Sequence, residues 1–375
     1  MEFRVPLSRP DVNETDIQAV VDVLRSPFLS LGPKVREFEA CFERYVGRRY
    51  AVAVNSGTSG LFLGMKAMGL GPGDEVITTP FTFIATVTTI LMTGASPVFA
   101  DIDPVTLNLD VKEVEKKITK RTKAVVPVEV FGNPAGMDKI CELAKSYRLE
   151  VVEDCCEALG SELNGRKAGT FGRVGVFAFY PNKQMTTGEG GMIVTDDEEI
   201  ARLCISLRNQ GRGSGGGWLA HERLGYNYRL SDINCALGIS QFRRIEEFVR
   251  KRQQVADMYL KRLAGEKRII LPQVPKEARM SWFVFVIRLA DSYRPEQRNE
   301  VLNRLMERGI QVSNYFPPVY LQPFLAKALG HKSGDFPVTD HVSARTIALP
   351  FHNNLSRQEV ELVCSELQDI LDTLG

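Results

Sequence analysis

Residues 177–191 read Phe177-Ala-Phe-Tyr-Pro-Asn-Lys-Gln-Met-Thr-Thr-Gly-Glu-Gly-Gly191 and join two apolar runs, 174–179 and 191–195, that predict β-strands. One lysine, Lys183, stands just beyond the first of these strands, and a glycine-rich turn follows it. A lysine amine that is partly desolvated in a pocket can act as a nucleophile, and glycines allow a flat ligand to approach the backbone. The alternative interpretation is an exposed lysine in a turn.

Short β-rich runs alternate with helical periodicity through the first half of the chain. Apolar residues spaced i, i+3, i+4, i+7 predict a helix over 14–25, and Pro33 is a favourable first residue for the next. Alternation of this kind predicts crossover units and a largely parallel sheet. Further strands are predicted at 50–54, 75–79, 97–100, 123–127 and 150–153, and helices at 58–68, 82–92, 110–118 and 135–147.

The pattern changes after residue 197. A helix over 197–209 leads into a glycine-rich run, 211–217, which predicts a mobile loop. A long helical region over 231–263, a strand over 281–289, a helix that Gly309 stops and a capping-box start at Ser356 follow. We therefore predict an α/β fold with two domains, a large one over 1–250 and a smaller α+β domain over 251–375.

Composition excludes several classes of function. The 47 Lys and Arg balance 46 Asp and Glu, so no basic surplus indicates binding to nucleic acid or to a membrane surface. No signal peptide or membrane span is indicated, and we expect a cytoplasmic protein. The seven cysteines are scattered, which favours free thiols in a reducing compartment, and the four histidines lack metal-ligand spacing, so no metal site is expected.

Two other segments place polar groups at predicted strand ends. Asp154 ends an apolar run 29 positions before Lys183, where carboxylates of open α/β sheets meet ligands. The run Val54-Asn-Ser-Gly-Thr-Ser-Gly60 turns from a strand into a helix, whose N-terminus can seat a phosphate. Each segment also has a purely structural interpretation, as a helix N-cap. Together they have the order that pyridoxal phosphate chemistry requires: a phosphate seat, a carboxylate for the pyridine nitrogen and a lysine.

The chain resembles, over nearly its whole length, the DegT/DnrJ/EryC1/StrS nucleotide-sugar aminotransferases, which are fold-type I pyridoxal-phosphate enzymes. The resemblance implies a mixed, mostly parallel sheet with flanking helices. The matching stretches are Gly32-Pro33, Ser56-Gly-Thr58, Thr79-Pro-Phe-Thr-Phe83, Asp101-Ile-Asp103, Glu153-Asp154, Thr186-Thr-Gly-Glu-Gly-Gly191 after Lys183, and Gly225-Tyr-Asn-Tyr-Arg-Leu-Ser-Asp232.

The resemblance implies a role for each matching residue. Lys183 matches the lysine that forms a Schiff base with pyridoxal 5'-phosphate and then moves protons, and Asp154 matches the partner of the pyridine nitrogen. Asn227 matches an asparagine that reaches the phosphate bound by a neighbouring subunit, which implies a homodimer with shared active sites. The other implied cofactor-binding residues are Gly57, Thr58, Ser59, Phe83 and Glu157, and the implied substrate residues are Ser30, Tyr180, Arg229 and Tyr315.

Three residues depart from the family pattern. Ala178 stands where the family often has a serine that binds the phosphate, and Tyr320 stands where histidine is frequent. Glu157 stands where many relatives carry glutamine, and we expect it to be protonated or turned aside, since a second anion beside the cofactor would be repelled. Relatives resembling GDP-perosamine synthase share this glutamate, which favours a 4-keto sugar as substrate.

The resemblance implies transfer of an amino group, from glutamate, to a keto group at C4 of a nucleotide-linked deoxysugar, with pyridoxamine phosphate as the intermediate form of the cofactor. Such products serve polysaccharide or glycoconjugate synthesis. Alternatives are a sugar dehydratase of the same family, in which histidine replaces the lysine, and a lyase or desulfurase, which would need a mobile cysteine. A non-catalytic regulatory protein of the same fold stays open. A dinucleotide-binding dehydrogenase is disfavoured, because the glycines at 69–73 precede a strand.

Overall fold

A seven-stranded mixed sheet forms the centre of the chain in a computed structural model that describes residues 3–213 and 220–374. Its strand order is β1-β9-β8-β5-β4-β2-β3. The pairs among β3, β2, β4, β5 and β8 are parallel, whereas β9 runs antiparallel to both β8 and β1. The predicted fold, a mostly parallel sheet with flanking helices, is confirmed. The strands are β1 (Tyr50–Val54), β2 (Glu75–Thr78), β3 (Ser96–Phe99), β4 (Thr122–Val126), β5 (Glu150–Asp154), β6 (Glu162–Leu163), β7 (Arg166–Lys167), β8 (Val174–Ala178), β9 (Gly191–Thr195), β10 (Ile269–Ile270), β11 (Ala278–Arg279), β12 (Phe285–Leu289) and β13 (Thr346–Leu349).

Helices cover the sheet and build the C-terminal part of the chain. The first crossovers pass through α3, α4, α5 and α6, which follow β1, β2, β3 and β4 in sequence. The helices are α1 (Glu14–Leu24), α2 (Pro33–Phe42), α3 (Gly57–Ala67), α4 (Ile84–Thr93), α5 (Val111–Lys117), α6 (Met137–Tyr147), α7 (Glu198–Arg208), α8 (Asp232–Phe242), α9 (Ile245–Arg262), α10 (Pro295–Glu307), α11 (Pro323–Leu329), α12 (Pro337–Ser343) and α13 (Arg357–Asp372).

The central strands are buried on both faces, as their continuous apolar runs predict. Val152, Val174 and Val176 are fully buried within the cluster that α3 and α7 complete, and Phe177 belongs to the cluster on the other face with α2 and α8. Because β5 and β8 pair in parallel, the residues that follow them open onto the same edge of the sheet.

The C-terminal part has a separate sheet and an apolar cluster that reaches into the first half of the chain. β10, β12 and β13 form a three-stranded antiparallel sheet against α9, α10 and α13. The cluster there also includes Val5, Phe81 and Phe131, which come from the N-terminal half. The predicted domain boundary near residue 250 stays a prediction.

Two predicted elements differ from the structure in extent. The helical region predicted over 231–263 is interrupted at Arg243 and Arg244, between α8 and α9. The strand predicted over 281–289 begins only at Phe285, because Trp282 takes a left-handed conformation with φ of 56°. Residues 214–217 of the predicted mobile loop lie outside the described residues. The capping box at Ser356 is confirmed, since its side chain accepts from the Glu359 N–H.

None of the helices within residues 3–213 and 220–374 has the length and apolar character needed to cross a membrane.

Candidate functional site

A cavity of about 750 Å³ opens where β5 and β8 end. Many of its lining residues come from two surfaces, which we name by their origin. The strand-end wall consists of Gly57, Thr58, Asp154, Glu157 and Lys183; the C-terminal wall consists of Phe283, Asn314, Tyr315, Phe316 and Gln322.

Lys183 lies in the turn between β8 and β9 and points into the cavity. Its side chain is only 14% exposed, so the interpretation as an exposed lysine does not fit. The backbone N–H of Lys183 donates to the carbonyl of Tyr180 at 2.9 Å, which closes the turn. The amine nitrogen lies 3.7 Å from Glu157 Oε1 and 3.8 Å from the ring centre of Phe283. A carboxylate and an aromatic face therefore hold this amine from two sides.

Asp154 is the last residue of β5 and lines the same cavity as Lys183. The next regular element is β6, so Asp154 is not the N-cap of a helix. Its Oδ2 accepts a hydrogen bond from Thr86 Oγ1 at 2.7 Å, and its Oδ1 accepts from the Cys156 N–H at 3.2 Å. These bonds fix the orientation of a buried carboxylate. Thr86 in turn lies 2.9 Å from Thr82 Oγ1, so a short hydroxyl chain supports it.

Glu157 is buried in the wall between Asp154 and Lys183. Its Oε2 accepts from the backbone N–H of Phe131 at 2.8 Å. Burial raises the pKa of Glu157, while the Lys183 ammonium and the Phe131 N–H oppose that rise. The bond to Phe131 turns one oxygen aside, and the protonation of Glu157 stays a prediction.

The N-terminus of α3 forms the far end of the strand-end wall. Ser56 is its N-cap, and the side chain of Ser56 accepts from the Ser59 N–H at 3.0 Å. Gly57 is tightly packed: a Cβ placed there would come within 2.7 Å of the Ala178 Cβ and 2.8 Å of the Cys156 sulfur. The first N–H groups of a helix lack partners within the helix, so Gly57 and Thr58 offer donors to an anion in the cavity.

Phe83 lies at the mouth of the cavity, immediately before α4. Helical periodicity alone would bury it, yet its side chain is 60% exposed, and Phe81 is the buried aromatic of this segment. Tyr180 is also exposed and lines the cavity, and Tyr315 lines it from the C-terminal wall with its ring stacked on Phe283.

Four predicted site residues lie outside the cavity lining. Ser59 is buried, and its hydroxyl bonds to Ser56, and Ser30 is exposed ahead of α2. Asn227 is exposed and pairs with Asn209 through an isolated bridge, and Arg229 donates to the Asn209 side chain at 3.1 Å. The roles of these four residues, including the contact of Asn227 with a neighbouring subunit, stay predictions.

Sequence reasoning missed several lining residues. Thr86 could have been found, because it lies in the first turn of the helix that follows the predicted site residue Phe83. Asn182 could have been found beside Lys183; its Oδ1 is buried without a hydrogen-bond partner in the described structure. Phe283, Asn314 and Gln322 carry no local signal, since only the packing of the C-terminal part brings them to the cavity.

Behind Asp154 lies a buried pair of carboxyl groups, Glu129 and Glu153. Oxygens of both lie within 4.8 Å of each other and of the Cys155 sulfur, and both side chains are fully buried. Glu153 accepts from the backbone N–H groups of Gly169 and Gly172. Burial, followed by the negative charge of Glu153, raises the pKa of Glu129 well above its usual range.

Several known proteins match this chain over most of their length. The spore coat polysaccharide biosynthesis protein SpsC of Bacillus subtilis is 39% identical, with 98% of this chain and 97% of that protein covered. GDP-perosamine synthase of Escherichia coli O157:H7 is 35% identical, with 97% and 98% covered. Among solved structures, the putative sugar aminotransferase Spr1654 from Streptococcus pneumoniae is similar in its PMP-form, with 28% identity, 99% and 100% covered, and a TM-score of 0.95. Its PLP-form matches at a TM-score of 0.94 with 29% identity, with 99% of each chain covered.

The family comparison covers the whole site described above, since it matches residues 10–368. The chain belongs to the DegT/DnrJ/EryC1/StrS aminotransferase family.

Proposed function

We propose that this aminotransferase uses pyridoxal 5'-phosphate to move an amino group from an amino acid, glutamate, to a keto group of a nucleotide-linked deoxysugar. The observation that carries the proposal is that Lys183 and Asp154 line one cavity, with the N-terminus of α3 at its far end. This arrangement supplies an amine, a fixed carboxylate and anion-binding N–H groups on three sides of one space.

The residues present fit the cofactor. Gly57 lies so close to Ala178 and Cys156 that a Cβ at this position would clash with both. A residue without Cβ therefore allows the N-terminus of α3 to lie at the cavity, where its N–H groups can bind a phosphate. The unpartnered Asn182 Oδ1 offers a polar contact inside the cavity. Spr1654, whose solved structures are described as PMP- and PLP-forms, shares the fold, which further supports the proposal.

Pyridoxal phosphate would supply an electron sink for the carbanion that forms when a proton leaves the donor carbon. The residues of the chain would do the rest. The Asp154 carboxylate, held by Thr86, would keep a proton on the ring nitrogen, and the Lys183 amine would move a proton from the donor carbon to the cofactor. The exposed face of Phe83 would restrict the ring plane, and the burial of the strand-end wall would exclude water.

The C-terminal wall suits the sugar part of a substrate. Asn314, Gln322 and Tyr315 offer neutral hydrogen-bonding groups, and Phe283 and Phe316 offer apolar faces, a combination typical of small-molecule pockets. GDP-perosamine synthase is among the relatives, which supports a 4-keto sugar and amination at C4. The relation to a spore coat polysaccharide biosynthesis protein supports a role in polysaccharide or glycoconjugate synthesis.

We further propose a cytoplasmic homodimer with shared active sites. A run of exposed apolar side chains at the end of α1 and the loop after it, Leu24, Phe28, Leu29 and Leu31, leaves a surface that a second copy would cover. The seven cysteines are free thiols, which is consistent with a reducing compartment.

A half-reaction tests the proposal. The protein loaded with pyridoxal phosphate is incubated with glutamate, and the absorbance is followed for conversion of the pyridoxal form to the pyridoxamine form. The converted protein is then offered a panel of nucleotide-linked keto sugars, and return of the pyridoxal form identifies the acceptor. If the cofactor binds and no amino acid converts it, the aminotransferase proposal fails and the non-catalytic regulatory alternative gains support.

A further inference from the structure

Arg252 is a buried arginine on α9 that the proposed mechanism does not use. It is 2% exposed, and no carboxylate within the described residues forms an ion pair with it. Burial lowers the pKa of Arg252 to about 10, and the charge of Asp11 opposes this shift. A buried charge without a counter-ion is costly unless hydrogen bonds compensate it, so its acceptors indicate what it does.

The acceptors of Arg252 are backbone carbonyls from two segments that are distant in sequence. Nη1 donates to the carbonyls of Trp282 and Phe283, both at 3.0 Å. Nη2 donates to the carbonyl of Lys183 at 2.9 Å and reaches that of Asn182 at 3.5 Å. One planar guanidinium therefore joins the Lys183 turn to the segment that leads into β12.

The joined residues also meet through their side chains. The Lys183 amine lies 3.8 Å from the ring centre of Phe283, and Arg252 bonds to the carbonyls of both residues. The guanidinium thus fixes the backbone from which the amine extends and the backbone that carries the aromatic face beside it. It also connects a residue of the strand-end wall with a residue of the C-terminal wall.

We propose that Arg252 is a positioning residue for Lys183, which holds the amine against Phe283 by bonding to the backbone of both residues. The inference deepens the proposed function, because it concerns the lysine on which that function rests. A lysine at position 252 would keep a positive charge, but its ammonium lacks the planar fork that spans two segments.

The test compares Arg252→Lys with Arg298→Lys in the full-length protein. Arg298 is also buried, and its Nη1 also donates to two carbonyls, those of Ser343 and Thr346, away from the cavity. Three quantities are measured: Tm, kcat and KM for the amino donor, and the rate at which a small amine-reactive probe labels Lys183 after cofactor removal, followed by peptide mass spectrometry.

For Arg252→Lys we expect several-fold faster labelling of Lys183, because the amine leaves Phe283 for solvent. We also expect kcat to fall about tenfold or more with KM little changed, since a misplaced reacting group slows chemistry more than binding. Arg298→Lys should lower Tm to a similar extent and leave the labelling and kcat as in wild type. The inference is overturned if Arg252→Lys matches Arg298→Lys in all three quantities.

A second variant keeps the inference testable if Arg252→Lys does not fold. Phe283→Leu removes the ring and leaves the guanidinium and its acceptors in place, and we expect it to speed labelling of Lys183 in the same way. Labelling at the wild-type rate would overturn the inference. The labelling does not depend on bound cofactor, so failure of the wild-type protein to transaminate would refute the proposed function without deciding this one.

Discussion

The two walls of the cavity differ in how their residues are distributed along the chain. The strand-end wall is built from residues that lie at the ends of β1, β5 and β8 or shortly after them, so each stands close to an apolar run that orients it. The C-terminal wall collects residues 283 and 314–322, which reach the cavity only because the C-terminal part packs against the sheet. We propose that the strand-end wall binds the cofactor and that the C-terminal wall selects the substrate. Six variants test the roles assigned to the two walls and to the buried carboxyl groups behind Asp154.

Lys183→Ala should have the largest effect. Without its amine the strand-end wall has no group to move the proton, and we expect kcat to fall by about a thousandfold or more. The measurement is the glutamate half-reaction under single-turnover conditions. Lys167→Ala, on the short strand β7, is the control and should react like wild type. Turnover by Lys183→Ala at the wild-type rate would contradict the catalytic role assigned to Lys183 in the strand-end wall.

Asp154→Asn and Thr86→Val should have the next largest effects, in that order. The first keeps the shape and removes the charge that would hold the ring proton, and we expect a loss of about a hundredfold in kcat. The second leaves the charge and removes one hydrogen bond to it. At about 1.5 kcal/mol, the lower end for a charged acceptor, we expect a loss of about tenfold in kcat. Half-reaction rates measure both. A larger loss for Thr86→Val than for Asp154→Asn would contradict the assigned roles.

Asn314→Ala and Gln322→Ala should separate the two walls. Each removes a neutral hydrogen-bonding group from the C-terminal wall, so we expect KM for the keto sugar to rise about tenfold. The glutamate half-reaction should stay close to wild type, because the strand-end wall is intact. If both half-reactions lose activity equally, the C-terminal wall does not act on the substrate alone, and the roles assigned to the two walls are wrong.

Glu129→Gln should have the smallest effect, visible only as a change in the pH dependence of stability. The pKa of Glu129 is raised in the folded chain, so binding of a proton to Glu129 favours folding. This stabilisation is complete below pH 4.5, the usual pKa of a glutamate, and is lost as the pH rises toward the pKa in the folded chain. Between those two pKa values the free energy of unfolding falls by about 1.4 kcal/mol per pH unit for one proton.

Glutamine resembles a protonated glutamate and has no proton to lose. We therefore expect the Tm of Glu129→Gln to fall less than that of wild type between pH 5 and pH 8. Glu142→Gln, at an exposed position on α6, is the control and should follow the wild-type curve. If the Tm of Glu129→Gln falls with pH as much as that of wild type, the pKa of Glu129 is not raised in the folded chain.

The sequence predicted the sheet and much of the strand-end wall, because local patterns carry both. The predicted strands over 50–54 and 191–195 coincide with β1 and β9, and Asp154 and Lys183 lie in one cavity as their positions after strands required. The short strands β6, β7, β10 and β11 have two residues each, too few for a periodic signal.

The other wall could not be predicted, because tertiary packing determines it. Phe283 contacts Lys183 across 100 positions of sequence through a segment that sequence reasoning assigned to a regular strand. The helical periodicity of this segment does not distinguish Phe81 from Phe83, whereas the structure buries Phe81 and exposes Phe83 at the cavity. Only the family resemblance indicated that Phe83 belonged to the site.

The most direct test of the central claim is to identify the residue that holds the cofactor. The protein is loaded with pyridoxal phosphate, reduced with borohydride, digested and analysed by peptide mass spectrometry. We predict a pyridoxyl-phosphate adduct on Lys183, and no adduct on that peptide in the same protein reduced without added cofactor. An adduct confined to another lysine, or no adduct at all, would contradict it.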